Sequence, residues 1–333
     1  MTKAIRIHEN GGPEVLRFED YEVLPPGPGE ARVRQTAIGI NFSDINVRRG
    51  GFYTARPAQF PLILGNEAAG VVTSVGPGVT GVTPGDRVAY AGMTAEFFER
   101  TGAYAEERNV PAERLLKLPA TLSDQQAAGM MAKGFTASLI INHVYRPKVG
   151  DTILIHAAAS GVGLVLTQWA KYLGASVIGT VGSSEKARIA KAHGCDHTVL
   201  YREVDFVDAV KDIAPPGVAA VFDGVGKDTF VSSLRCVRPF GMLVNYGNAS
   251  GRVPPIDLLK LSEGGSLSVC RPALSTLTGN VALMRAAAAE LFDLVGRGVF
   301  RIRISGTYAL RDAAAAHRDI EARAHAGSVL LLP

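Results

Sequence analysis

The chain has 333 residues, 47% hydrophobic and 20% charged, and a formal net charge of +4 from 35 basic and 31 acidic side chains. That length exceeds one ordinary hydrophobic core and predicts two domains, while the mild, scattered basic excess offers no polybasic tract for nucleic acid. The opening MTKAIRIHENGG has no apolar h-region, and no run of about eighteen apolar residues escapes interruption, so neither a signal peptide nor a membrane span is expected.

The first third reads as β-rich. Short strands are expected at 4–7, 31–36, 69–75 and 86–89, separated by Pro25-Pro26-Gly27-Pro28-Gly29, Gly76-Pro77-Gly78 and Pro84-Gly85. Such spacing predicts a compact, partly open barrel. The pattern changes near Ser123, which is placed to cap a helix with Gln126 as its reciprocal partner. Strands at 152–156, 176–181, 198–200, 219–223, 242–245 and 266–270 then alternate with helices such as 185–192 and 205–213. That alternation predicts a doubly wound parallel sheet and an α/β fold class. Beyond residue 272 a helix over 279–297, a strand at 302–304, a helix over 309–325 and a strand at 328–332 are expected. These last strands need a sheet, and the N-terminal barrel is the host. The expected division is 1–125 with 273–333 as the substrate domain, and 126–272 as an inserted nucleotide-binding domain.

Cys195, Cys236 and Cys270 are too far apart for a disulfide framework or a structural zinc site, and their sparseness fits a reducing cytoplasm. The seven histidines are equally dispersed.

Residues 152–174, TILIHAAASGVGLVLTQWAKYLG, are the most informative stretch. An apolar strand leads into a turn of small residues, Ala157 to Gly163, and then into a helix. Small side chains let the backbone approach a diphosphate, and the helix start offers N–H groups and the positive end of a dipole. Ala158, Ser160 and Gly163 stand at the three positions of the G-x-G-x-x-G pattern. The hexapeptide alone fits tight helix-on-strand packing equally well. The strand at 176–181, at βαβ spacing, favours phosphate binding.

The end of that second strand selects the cofactor. It reads Gly179-Thr180-Val181-Gly182-Ser183-Ser184-Glu185-Lys186, with no acidic residue at the strand tip to bind a ribose 2′-hydroxyl. Ser183 can hydrogen-bond a 2′-phosphate, Lys186 can supply charge, and Tyr201 with Arg202 can close over it. Ser183-Ser184 can equally cap a helix, and a capped helix start is itself an anion site. The expected cofactor is NADPH.

These segments together give a family likeness. The chain resembles the medium-chain dehydrogenase/reductase superfamily, and within it the zinc-independent, zeta-crystallin-like NADPH:quinone oxidoreductases. The likeness rests on Gly11-Gly12-Pro13-Glu14-Val15-Leu16, Gly39-Ile40-Asn41-Phe42-Ser43-Asp44, Gly65-Asn66-Glu67-Ala68-Ala69-Gly70 and Pro84-Gly85-Asp86-Arg87-Val88. It continues through 157–163, Tyr201-Arg202-Glu203, Asp223-Gly224-Val225-Gly226, Tyr246-Gly247-Asn248, Arg271-Pro272 and Gly327-Ser328-Val329. It implies a GroES-like partly open β-barrel domain, a Rossmann domain and a homodimer. Zinc-dependent relatives carry a Cys near Asn41, a His-Glu pair near Asn66-Glu67 and a four-cysteine lobe. This chain has none of these, so no metal site is expected.

The resemblance implies cofactor contacts at Asn41, Thr136, Ala159, Gly161, Val162, Ser183, Lys186, Tyr201, Tyr246, Asn248, Val269, Arg271 and Arg323. It implies hydride transfer to a quinone or similar conjugated acceptor, with Asn41, Tyr53 and Asp44 as the candidate catalytic residues. Tyr53 would donate a proton or stabilise a developing enolate. Asp44 would act in catalysis or orient its loop. Where such reductases often carry Tyr, position 46 is Asn46, and the loop also resembles that of 2-enoyl thioester reductases. An enoyl or alkenal reductase is therefore the alternative, and a non-catalytic NADPH-binding protein a further one.

Overall fold

The structure is a computed structural model that describes residues 2–50, 59–92 and 102–333. The chain runs through β1 (Thr2–Ile7), β2 (Arg17–Tyr21), β3 (Glu30–Gly39), α1 (Phe42–Arg48), β4 (Leu62–Ile63), β5 (Glu67–Val75), β6 (Arg87–Ala91), β7 (Glu107–Pro111), β8 (Leu116–Lys117) and α2 (Asp124–Leu139). It continues through β9 (Thr152–Ile155), α3 (Gly161–Tyr172), β10 (Ser176–Val181), α4 (Ser184–Ala192), β11 (His197–Leu200), α5 (Phe206–Ile213), β12 (Val218–Asp223), α6 (Phe230–Leu234), β13 (Val237–Asn245), α7 (Leu259–Glu263) and β14 (Ser268–Cys270). The last elements are α8 (Leu274–Thr278), α9 (Val281–Gly296), β15 (Ile304–Ala309), α10 (Ala313–Glu321) and β16 (Ser328–Leu332). Two compact units result: Met1–Phe135 with Leu274–Gly296 and Ile302–Pro333, and Thr136–Ala273 with Arg297–Arg301.

The first unit is built on a bent sheet ordered β15-β16-β3-β5-β6-β8, with β7 also pairing to β3, and on a three-stranded sheet β2-β1-β4. Along β3 buried and less buried residues alternate, the signature of a strand with one face on the core. Register shifts between Arg32 and Val33 and between Gln35 and Ala37 bend β3 against β5. Val33, Val72, Val88, Val110 and Leu331 meet in its core. The Ser123 cap forms as expected: Gln126 N–H donates to Ser123 Oγ at 3.1 Å, and Ser123 N–H donates to Gln126 Oε1 at 3.0 Å.

Two expected elements differ. The helix expected over 279–297 forms as α9, started at Val281 by Asn280, whose Oδ1 accepts from Ala282 and Leu283 N–H, and the short helix α8 precedes it where none was expected. The helix expected from residue 309 starts later, since Tyr308 and Ala309 still pair with Leu331 and Leu332.

The second unit is a six-stranded parallel sheet ordered β11-β10-β9-β12-β13-β14. Counted from β9 this is the 3-2-1-4-5-6 order of a Rossmann fold, and the order in which strands are added across the sheet reverses between β9 and β12. Leu154, Ile178, Val199, Val221 and Leu243 fill its core with Val207 and Val210 of α5. Helix α3 buries Trp169 edge-on against Phe300, ring centres 5.2 Å apart. Among the described residues no helix is long and apolar enough to cross a membrane.

Candidate active site

In the second unit, β9 ends one residue before the turn that the small residues predict. Ala157 adopts a left-handed backbone, φ 51°, which turns the chain sharply after the strand. Ser160 N–H returns to Ala157 O at 2.8 Å, and Ser160 Oγ accepts from Gly163 N–H at 3.1 Å as the cap of α3. Helix geometry leaves the N–H groups of Gly161 and Val162 without an intrahelical acceptor. A Cβ on Gly163 would stand 2.4 Å from Ala157 O and 2.9 Å from the Ala158 backbone. Only glycine lets the helix start this close to the strand, so this turn fits a diphosphate. Beneath it the buried His156 lies 2.9 Å from Thr180 Oγ1 and 2.8 Å from Ser233 Oγ. Burial pushes its pKa down and keeps the ring neutral.

At the tip of β10, Ser183 caps α4 by accepting from Lys186 N–H at 3.3 Å. A Cβ on Gly182 would lie 2.7 Å from Tyr201 Oη and 3.6 Å from Arg202 Nε. Ser183, Lys186 and Tyr201 thus belong to one corner, and a helix start opens there. A second corner lies at the ends of β12 and β13. Buried Asp223 accepts from Val225 N–H, Gly226 N–H and Thr229 Oγ1. Gly224 leaves room for Tyr246, whose ring would be 2.8 Å from a Cβ there. Arg271 donates to Asn245 O and Oδ1, both at 2.9 Å, and to Gly247 O at 3.3 Å. Oriented to satisfy both neighbours, the Asn248 amide accepts from Arg271 and donates to Gly247 O, each at 2.9 Å. Val269 sits on the edge strand β14 and Thr136 is half-buried on α2.

The first unit holds a different arrangement, made of buried charge. Glu67, at the start of β5, is fully buried. Its Oε1 accepts from Asn41 Nδ2 at 2.9 Å and pairs with Lys133 of α2, and its Oε2 accepts from Ala132 N–H at 2.6 Å. Lys133 Nζ also donates to Asn41 Oδ1 at 3.0 Å. Asn41, Glu67 and Lys133 therefore close a triangle in which every contact is between polar atoms. Gly39 permits it, because a Cβ there would meet Ala128 O and Glu67 within 2.3 Å. Asp44, at the third position of α1, reaches back to accept from Asn41 N–H at 2.9 Å. It is buried, and burial first and Glu67 second among the raising effects push its carboxyl up to about 7; hydrogen bonds from Asn41 and Tyr104 and the charge of Lys133 oppose them.

The full length of the chain matches known proteins. Residues 27–120 match the family model described as alcohol dehydrogenase GroES-like domain, and residues 161–289 the one described as zinc-binding dehydrogenase. A quinone oxidoreductase of Pseudomonas aeruginosa is 45% identical over 334 residues, covering 100% of both chains. The chain belongs to the quinone oxidoreductase family of the medium-chain dehydrogenases/reductases. Within this family, the structure of the Escherichia coli quinone oxidoreductase complexed with NADPH superposes with a TM-score of 0.93 at 40% identity, covering 99% of this chain and 100% of that one. A 2-haloacrylate reductase of Burkholderia is 43% identical over 100% of this chain and 99% of its own.

The expected residues fall into these groups. Ala159, Gly161 and Val162 form the turn; Ser183, Lys186 and Tyr201 the β10 corner; Tyr246, Asn248 and Arg271 the β12–β13 corner. Asn41 and Asp44 meet in the first unit. Arg323 of that unit stands exposed just past α10 with a left-handed backbone, φ 58°. Tyr53 lies outside the described residues. Sequence reasoning passed over Glu67 and Lys133 as site residues. The signal for Lys133 was a single cation inside the apolar helix GMMAKGF, which can be buried only against a carboxylate. Among the described residues no group of three or more His, Cys, Asp or Glu is gathered for a metal.

Proposed function

We propose that this protein transfers a hydride from NADPH to a quinone or a similar conjugated acceptor. The observation that carries the reading is the glycine-tight turn before α3, in a chain 40–45% identical over its whole length to quinone oxidoreductases. The second unit fits the dinucleotide: Ala159, Gly161 and Val162 would hold the diphosphate through their backbone. Ser183, Lys186 and Tyr201 would hold the 2′-phosphate, and Thr136, Tyr246, Asn248, Val269 and Arg271 would hold the remainder. Asn41 and Arg323 are the proposed contacts from the first unit. When bound, NADPH supplies a hydride, and a quinone that takes up that hydride and one proton becomes the hydroquinone.

The chain's own share is orientation, exclusion of water and handling of the proton. Asn41 presents an amide whose two ends are fixed by Glu67 and Lys133. Asp44 orients the start of α1, and Tyr53 is proposed as the proton donor. A quinone is already electron-poor, so the proposed mechanism is zinc-independent. The proposal includes a cytoplasmic location, a homodimer and no nucleic-acid partner.

The 2-haloacrylate reductase likeness favours a second reading, in which hydride goes to the β-carbon of an α,β-unsaturated carbonyl compound. Initial rates with NADPH and 1,4-benzoquinone or 9,10-phenanthrenequinone, against crotonyl thioester, 2-alkenals and a 2-haloacrylate, separate the two. Turnover of the unsaturated carbonyl compounds alone removes the quinone assignment. Tight NADPH binding with no acceptor-dependent loss of absorbance would make the protein a non-catalytic NADPH binder. A Tyr53→Phe variant with unchanged rates on every acceptor removes the role given to Tyr53.

A further inference from the structure

Asp44 terminates a one-way chain of hydrogen bonds whose far end is fixed by a cation. Arg48, fully buried on α1, can only donate, and its Nη1 lies 3.1 Å from Nδ1 of His317, fully buried on α10. Nδ1 is therefore the accepting nitrogen, and the ring proton resides on Nε2. Nε2 lies 2.9 Å from the Tyr104 hydroxyl. It donates there, so the hydroxyl proton goes to Asp44 Oδ2 at 3.2 Å. Oδ2 already accepts from Asn41 N–H. The other oxygen, Oδ1, has no hydrogen-bond partner among the described residues, although Asp44 is fully buried. Both donors converge on one oxygen, and any proton Asp44 carries is confined to the other.

We propose that Tyr104 is a positioning residue for this reaction: through Asp44 it fixes the Asn41 end of α1, and His317 and Arg48 fix the direction in which its hydroxyl points. The inference rests on the reading of Asn41 as part of the site. The charged and titratable groups facing Asp44 are Glu67 on β5, Lys133 on α2 and Tyr104 before β7; behind Tyr104 stand Arg48 of α1 and His317 of α10, and Glu321 of α10 pairs with Arg48. The ring of His317 stays neutral, because burial and then the adjacent Arg48 hold its pKa down to about 3. Tyr104 stays protonated, because burial and then Asp44 push its hydroxyl well above the usual range. Each link thus keeps its direction at neutral pH. A neutral Asp44 leaves Lys133 on Glu67 and Asn41. An ionised Asp44 competes with Glu67 for that ammonium and loosens the hold on the Asn41 amide.

The experiment compares wild type, Tyr104→Phe, His317→Gln and His317→Met. The pH dependence of kcat and of KM for NADPH is measured with 1,4-benzoquinone. In parallel, the protonated-carboxyl infrared band of Asp44, assigned by its loss in Asp44→Asn, is titrated. In wild type, kcat and the band are expected to decline together with a midpoint near 7. Losing the hydroxyl removes a donor to the charged carboxylate, so in Tyr104→Phe both midpoints move up by about one pH unit, in kcat rather than in KM. Gln can accept from Arg48 and donate to Tyr104, so His317→Gln keeps the wild-type midpoint, whereas His317→Met shifts it. Unchanged midpoints in Tyr104→Phe and His317→Met overturn the proposal, as does an infrared shift with no matching shift in kcat. Should wild type turn over no quinone, the functional reading fails on its own, and a 2-haloacrylate or a 2-alkenal replaces benzoquinone in the same comparison.

Discussion

The turn before α3 and the cluster around Asn41 solve opposite problems. The turn consists of neighbours in sequence, Ala157 to Gly163, and works by having almost no side chains. The cluster draws on Asn41, Asp44, Arg48, Glu67, Tyr104, Lys133 and His317 and works through charge kept out of water. The turn can be harmed by adding one methyl group. The cluster is harmed by removing one partner, because the group left behind is buried and uncompensated. Steric exclusion at the turn tolerates pH and salt; electrostatic pairing in the cluster responds to pH.

The sharpest break of that contrast is Lys133→Met, which strands Glu67 in the core. It is expected to cost about 3–5 kcal/mol of stability, read by urea unfolding, with most of the loss recovered when Glu67→Gln is added. Next comes pH. Asp44 has an ordinary value of 3.8 and about 7 in the fold. The folded protein keeps that proton longer than the unfolded chain, so its contribution is complete below 3.8 and is lost as pH rises through 7. His317 runs the other way, from 6.5 to about 3, so its contribution is complete above 6.5 and is lost as pH falls through 3. Between about pH 4 and pH 6 the two slopes, each about 1.4 kcal/mol per unit, cancel. Asp44→Asn removes one of them, and unfolding at several pH values is expected to show stability rising by about 3 kcal/mol over that interval.

On the side of the turn, Gly163→Ala is expected to lower stability by about 1–3 kcal/mol, because its Cβ meets backbone rather than a flexible side chain. NADPH affinity measured by calorimetry should fall at least about tenfold with it. The smallest effect is Lys186→Ala. It leaves the fold intact and narrows the preference for NADPH over NADH by about tenfold, or about 1.4 kcal/mol, in paired titrations.

The same contrast explains what could be read in advance. The doubly wound sheet was legible because parallel strands buried on both faces form continuous apolar runs, as at Ile153-Leu154-Ile155. The turn was legible because close backbone approach demands a contiguous string of small residues. In the first unit, β7 and β8 escaped notice: Glu107-Arg108-Asn109-Val110-Pro111 is polar and ends in proline, and its pairing to β3 decides its conformation. Asn41 and Asp44 stood out only by family likeness. Tyr104 and His317 did not stand out, since nothing near either in the chain hints that their side chains meet 2.9 Å apart.

Arg48 and His317 touch although 269 residues separate them along the chain. The parallel sheet draws all its strands from one continuous stretch, from β9 to β14. The other unit must bring two distant segments together before Arg48 loses its hydration without penalty. Loop closure over such a distance is entropically unfavourable until those contacts form. The expected order of assembly is that the parallel sheet protects its amides from exchange first, while the other unit stays open around Arg48 until α10 docks.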